Sequence, residues 1–164
     1  MRTAQVVVIV LIAAALIELA CYYPLIGATA ASHFDIGGEP NAHQTKAAFF
    51  ASWILAVVLP GVVALGIPSV LGHVPVEFIN LPNKQYWLAP QRRAQTLHDF
   101  AQHFAWFGVG SLGLVIVVMN LVMHANLSAS QSINQHWFGV LFALYLVFVG
   151  WWLVRTFAMF RMPG

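Results

Sequence analysis

Charge is what this chain is short of. Lys, Arg, Asp and Glu together make up 7% of its 164 residues, against about 25% in a soluble domain whose surface must hold water. So thin a charged surface excludes a fold that stays dispersed in water and points to hydrocarbon as the solvent. Cysteine is nearly absent, and the single Cys21 excludes an intramolecular disulfide, a CxxC redox pair and a cysteine-rich zinc site. The net charge of +2 and a pI near 9.0 come from scattered cations. Apart from Arg92-Arg93 there is no basic run, so no nucleic-acid partner is expected. Also missing are a glycine-rich phosphate loop, a GxSxG elbow and an HExxH helix. No catalytic residue and no cofactor is therefore assigned. Internal repeats and low-complexity segments are lacking too.

Apolar residues are what it has in abundance, at 60%. A helix rises about 1.5 Å per residue, so about 20 apolar residues cross a hydrocarbon core of about 30 Å. Four runs qualify: 4–23, 47–67, 104–123 and 137–154. Only the first holds a charge, Glu18. None has the polar face that a helix of a soluble bundle needs. The expected fold is all-α: one four-helix transmembrane bundle over residues 1–164, with helices at about 4–23, 47–67, 91–123 and 137–160. Pro60-Gly61 predicts a kink in the second helix, and Pro90 a start for the third just below the membrane. Ala101, Ala105 and Gly108 form a smooth stripe suited to close helix packing.

Basic residues set the orientation. With the N-terminus inside, Arg2, Lys84, Arg92, Arg93, Arg155 and Arg161 are cytoplasmic and only Lys46 is outside, as the positive-inside rule requires. Aromatic belts agree, with Tyr22, Tyr23, Phe49, Phe50, Trp53 and Trp137 at the outer boundary. Tyr86, Trp87, Trp106, Trp151 and Trp152 mark the inner one. The N-terminus imitates a lipoprotein signal in Leu19-Ala20-Cys21, but Glu18 stands where such a signal has Leu. The segment is read as a retained helix in a bacterial inner membrane. The Asn126-Leu127-Ser128 sequon matters only in a eukaryotic secretory pathway.

Two loops carry information. The outer one, 24–43, places His33, Asp35, Glu39 and His43 around Gly37-Gly38. Imidazole and carboxylate suit zinc or copper, yet this spacing matches no established site. Glycines and Glu39-Pro40-Asn41 predict a compact turn-rich loop instead, and no metal is assigned. In the inner loop, 68–93, Pro82-Asn83 reads as a turn, Tyr86-Trp87 as an interfacial anchor, and Lys84, Arg92 and Arg93 as a headgroup-facing cluster. A docking surface for a cytoplasmic partner is the alternative.

In these loops the chain resembles small bacterial membrane proteins carrying the domain of unknown function 1648. His33 followed by aromatic Phe34, the Gly38-x-Pro40 turn and Lys46 opening the next helix fill that family's outer-loop pattern. Asn80-Leu81-Pro82-Asn83-Lys84, Tyr86-Trp87 and Pro90-x-Arg92-Arg93 are similar to its cytoplasmic segment. Gln91 stands where an acid often precedes the paired arginines, and the proline usual before the His is missing. The resemblance covers roughly residues 1–125. Its best-known members are SdpI-like immunity proteins, which protect a bacterium from a secreted toxin and carry additional helices. It implies a bacterial membrane protein with a family-type outer loop.

Ionisable groups at membrane depth are functional hypotheses by default. Glu18 falls in the outer half of its span, as do Ser52, Asn120 and His124 in theirs. One reading is a polar cluster in which Glu18 bonds Asn120 or His124. The other is a protonated Glu18 with a single partner, or one reaching toward the interface. His124 and His136 are the only pair placed for haem or quinone, and neither cofactor is assigned. The functional expectation is a non-enzymatic binding, sensing or immunity-type protein. Its partners would be the lipid bilayer and a peptide ligand or partner membrane protein. An accessory subunit of a larger complex, or a transporter-like homo-oligomer using Glu18, are the alternatives.

Overall fold

Runs of Leu, Val, Ile and Ala with no polar face have one way to satisfy their peptide groups in an apolar medium, the intra-segment bonds of a helix. A computed structural model describes residues 3–162; Arg2, counted above among the inner cations, lies outside them. The order is α1 (Thr3–Tyr22), β1 (Thr29–Phe34), β2 (Pro40–Thr45), α2 (Lys46–Val70), α3 (Lys84–Trp87), α4 (Arg93–Leu127) and α5 (Gln135–Met159), with two 3-10 turns after α2. α1, α2, α4 and α5 are long and apolar enough to cross a membrane. The connecting segments gather at two opposite ends. At one, the β1–β2 hairpin meets residues 128–134 through the bond from Ile133 N to Gly38 O. At the other, residues 71–92 meet the start of α4 and Phe160 beyond α5.

The wholly helical expectation needs correction at the hairpin. β1 and β2 pair antiparallel from Thr29↔Thr45 to Phe34↔Pro40, with an irregularity around Ser32. The run TAASHF lacks the β-branched alternation by which strands are recognised. A lone two-stranded hairpin is marginal in water, so tertiary contacts must hold this one.

Helix ends differ from the sequence boundaries for local reasons. α4 starts at Arg93, because Ala89 O first closes a turn on Arg92 N and Arg93 N. It runs on to Leu127, beyond the apolar run, and ends where Ser128 N bonds His124 O and Ala125 O. α2 opens at Lys46 with Thr45 Oγ1 accepting from Ala48 N at 3.3 Å, an N-cap. It continues as helix through Pro60 to Val70. Asn134 Oδ1 caps α5 by accepting from Trp137 N at 3.2 Å.

The core lies between α1, α2 and α4, where Val8, Phe49, Val57, Leu112, Met119 and Met123 are fully enclosed. Backbones come close at Gly108, where a side chain would collide with Ala64 of α2; one at Gly61 would meet the tip of the Ile12 side chain on α1. Ala101, Ala105 and Gly108 are all buried, so the smooth stripe of α4 is interior and Gly108 turns it to α2. α5 stands outside this core with no buried residue. It is tied to α4 by Ser111–Tyr145 at 2.9 Å and by His103. The His103 ring stacks on Trp152 and its Nε2 meets Thr156 Oγ1 at 2.8 Å.

Overpacking a tight helix contact costs about 1–3 kcal/mol. Gly108→Leu is therefore expected to lower the thermal midpoint of the detergent-solubilised chain, while Gly113→Leu, with open space around it, leaves it near wild type. Fluorescence-detected size exclusion after a heating series reads both.

Candidate functional site

The hairpin is held by a side chain that acts as a third strand. Asn126 Oδ1 accepts from Ala31 N at 2.7 Å, and Asn126 Nδ2 donates to Ala31 O at 3.0 Å. The same Nδ2 reaches Val122 O at 3.0 Å, which fixes the amide to its own helix. The exposed edge of β1 is thereby satisfied where it crosses the end of α4. Ala30 and Ala31 are fully buried at this crossing.

The tip is fixed as well. Asp35 Oδ1 accepts from Gly37 N at 2.8 Å and from Glu39 N at 3.0 Å, an Asx-type turn. Gly38 adopts φ +86, and a side chain there would strike the Ile133 carbonyl, so both conformation and space demand glycine. Ile133 N donates to Gly38 O at 2.9 Å and Gln135 Nε2 to Asp35 O at 2.9 Å. Between these anchors Ile36 stands 99% exposed. A large apolar side chain so displayed on a rigid turn is the outstanding surface feature of this end.

The outer-motif residues divide into builders and presented groups. Phe34 packs against the core, Gly38 and Pro40 shape the tip and second strand, and the Lys46 ammonium sits over the Tyr23 ring at 4.3 Å. His33 is exposed, its Nδ1 at 3.2 Å from Ser32 Oγ. Among the described residues no three His, Cys, Asp or Glu converge as metal ligands.

Below the hairpin the structure brings Glu18 and Asn120 together, with Asn120 Nδ2 donating to Glu18 Oε1 at 2.5 Å. Tyr22, one helical turn from Glu18, interacts with both, and its hydroxyl meets His124 Nε2 at 3.1 Å. A polar row thus climbs from a half-buried acid to an exposed imidazole. Ser52 is not in it: its Oγ donates to Phe49 O at 2.7 Å within α2. His136 lies edge-on to Trp137 and is not brought against His124.

At the opposite end the motif of residues 80–93 joins a small core of its own. Ile79, Leu81, Leu88, Leu97 and Phe160 bury one another. Asn83 takes the left-handed conformation at φ 53 after Pro82. From there Asn83 Nδ2 donates to Phe160 O at 2.9 Å, and Trp87 Nε1 to the same oxygen at 3.0 Å. Arg93 donates to Val74 O at 2.9 Å. Arg92 lies over the Tyr86 ring at 4.0 Å. Asn80 and Lys84 are left exposed at a cavity of about 380 Å³.

Sequence reasoning missed Asn126, Tyr22, Gln44 and the 131–135 strap. Asn126 offered a weak signal, since Asn120, His124 and Asn126 recur on an otherwise apolar helix end. Comparison with protein-family models finds no match, and comparisons with curated proteins and with solved structures find none either.

Two neutral hydrogen bonds together contribute about 1–3 kcal/mol. Asn126→Ala is expected to speed amide exchange at Ala30, Ala31 and Gln44 by about 10- to 100-fold. Exchange within the core of α4 should stay unchanged. Hydrogen–deuterium exchange mass spectrometry in detergent makes the comparison.

Proposed function

We propose that this chain is a non-enzymatic binding protein of a bacterial cytoplasmic membrane, with both termini inside and the hairpin displayed outside. The observation that carries the reading is Ile36, fully exposed on a turn braced by Asp35, Gly38 and Ile133. Exposing an apolar side chain gains nothing for folding. Holding it still removes much of the ordering cost of a later contact. The ligand is a peptide or the outer face of a partner membrane protein that offers an apolar pocket or groove. Exposed His33, Asp35 and Glu39 around it supply polar contacts of either sign. The motif resemblance to proteins with the domain of unknown function 1648 supports an immunity- or sensor-type role. The distribution of cations about the spans supports the orientation.

A second reading has one observation of its own. α5 buries none of its residues and leaves Phe142, Leu146, Leu153 and Phe157 exposed along one side. That face suits an accessory subunit packed against a larger membrane assembly, or a second copy of the chain.

Two experiments separate these readings. In a Cys21→Ser background, Ile36→Cys should react with a membrane-impermeant maleimide added to intact cells, and Gln85→Cys only after lysis. The reverse pattern overturns the orientation. A photo-crosslinking residue at position 36 should give a discrete adduct in living cells, lost on adding Gly38→Val with membrane abundance retained. Adducts from positions 142 and 146 alone would replace hairpin binding with the subunit reading.

A further inference from the structure

Beside the hairpin a cleft of about 260 Å³ lies between β1, β2 and the first turns of α2. Ser32, His33, Gln44 and Ser52 give it polar walls, and Trp53 and Ala56 close its lower side. Those same two residues also line a second cleft of about 230 Å³. This one runs between α2, α4 and α5, and its walls, among them Val115, Val118 and Phe142, are wholly apolar. The two are therefore neighbours across Trp53 and Ala56, polar at the hairpin and apolar deeper down. Trp53 and Ala56 lie about 10–15 Å along α2 from Lys46. The polar part sits at headgroup depth and the apolar part among acyl chains.

The polar cleft contains one unanswered group. Gln44 Oε1 is buried, and no protein group donates to it. Its hydroxyl neighbours face other partners. Ser32 Oγ lies 3.3 Å from Ala42 O and 3.2 Å from His33 Nδ1, and Ser52 Oγ donates to Phe49 O at 2.7 Å. Leaving a buried acceptor without a donor is costly, so the cleft asks for a ligand that brings an O–H or N–H. Neither cleft has a Lys, Arg, Asp or Glu on its walls, and the one titratable group there is the His33 imidazole. An ammonium would enter without a counter-charge, and a phosphate would meet that single exposed ring. Each cleft alone falls below the roughly 300 Å³ of an ordinary ligand pocket, and a ligand reaching past Trp53 and Ala56 into both would have more than that.

We infer that the paired clefts bind an uncharged, hydroxyl-headed lipid, its hydroxyl donating to Gln44 Oε1 and its chain lying past Trp53 and Ala56 between α2 and α5. Diacylglycerols and polyprenols share this chemistry. The inference does not depend on what Ile36 contacts.

The test uses the whole chain in phosphatidylcholine nanodiscs doped with dioleoylglycerol or a polyprenol, and native mass spectrometry counts retained lipid. Each hydroxyl-headed lipid is compared with its O-methyl ether, which keeps shape and chain but donates nothing. Retention of at least one alcohol about tenfold above its ether is expected, the equivalent of about 1.4 kcal/mol. Gln44→Leu should bring that ratio to about one, whereas Gln44→Glu keeps an acceptor and should retain a preference. Ala56→Phe, which fills the junction, should reduce retention of alcohol and ether alike. Amide exchange of the hairpin in each variant shows that the fold survives. Equal retention of alcohol and ether by the wild-type chain overturns the inference, as does a preference untouched by Gln44→Leu. Stronger retention of phosphatidylglycerol than of either alcohol overturns it too. Which alcohol is held identifies the source.

Discussion

A peptide group shut away from water must find its partner within the protein, and each stretch of this chain answers that constraint in its own way. The four apolar runs answer it with helices, whose amides and carbonyls close on themselves. The hairpin cannot, since each of its strands has an open edge. β1 lies over the end of α4, and the Asn126 amide supplies both the donor and the acceptor that Ala31 would find in a third strand. That pairing fixes the hairpin on α4 beside buried Ala30 and Ala31, while residues 133–135 hold the tip through Gly38 O and Asp35 O. At the opposite end Phe160 O, the first carbonyl beyond α5, is answered by Asn83 and Trp87.

That distribution explains what could be read from sequence. A helix in lipid announces itself through the length of its apolar run, because both its solvent and its hydrogen bonds are local properties. The hairpin depends on Asn126, ninety-five positions from Ala31, and TAASHF has no alternation to betray a strand. Helix ends are legible only where the capping group is adjacent, as with Thr45 before α2. The end of α4 at Leu127 was hidden by polar His124 and Asn126, which look like the start of a loop. The Glu18–Asn120 contact was readable as one of two choices, from helical counting alone. Tyr22, which carries the row on to His124, looks in sequence like any boundary aromatic. Its hydroxyl and its ring serve two purposes at once.

The motif residues of both loops sort by the same logic. Gly38, Pro40, Asn83, Trp87 and Arg93 are absorbed in shaping backbone or answering carbonyls. A motif rich in turn formers and donors is therefore chiefly a record of how a loop folds. What a ligand could meet is the remainder: Ile36 and the charged groups flanking it on one end, Lys84 and Asn80 on the other. This is why the residues most useful for recognising a resemblance are poor guides to the chemistry of a site.

Glu18 is the sharpest case of weighing structure against function. Charged side chains at the centre of a span cost about 2.5–3.5 kcal/mol on insertion scales. Glu18 sits one turn from the end of α1, where the cost is smaller. An interhelical hydrogen bond in lipid returns about 0.6–2 kcal/mol, which the Asn120 amide provides. The two magnitudes are close, so a tether between α1 and α4 suffices to account for the acid. A conducting role would need polar groups continuing toward the other end. Along α4 the next ones below Asn120 are Ser111, already paired with Tyr145, and His103, held by Thr156 and Trp152. These lie about 13 Å and a further 12 Å away along the helix axis, several times the reach of a hydrogen bond. Among the described residues of one chain, the polar row from Glu18 runs through Asn120 and Tyr22 and ends at His124. That geometry favours a brace between α1 and α4 over a step in a path along the helices.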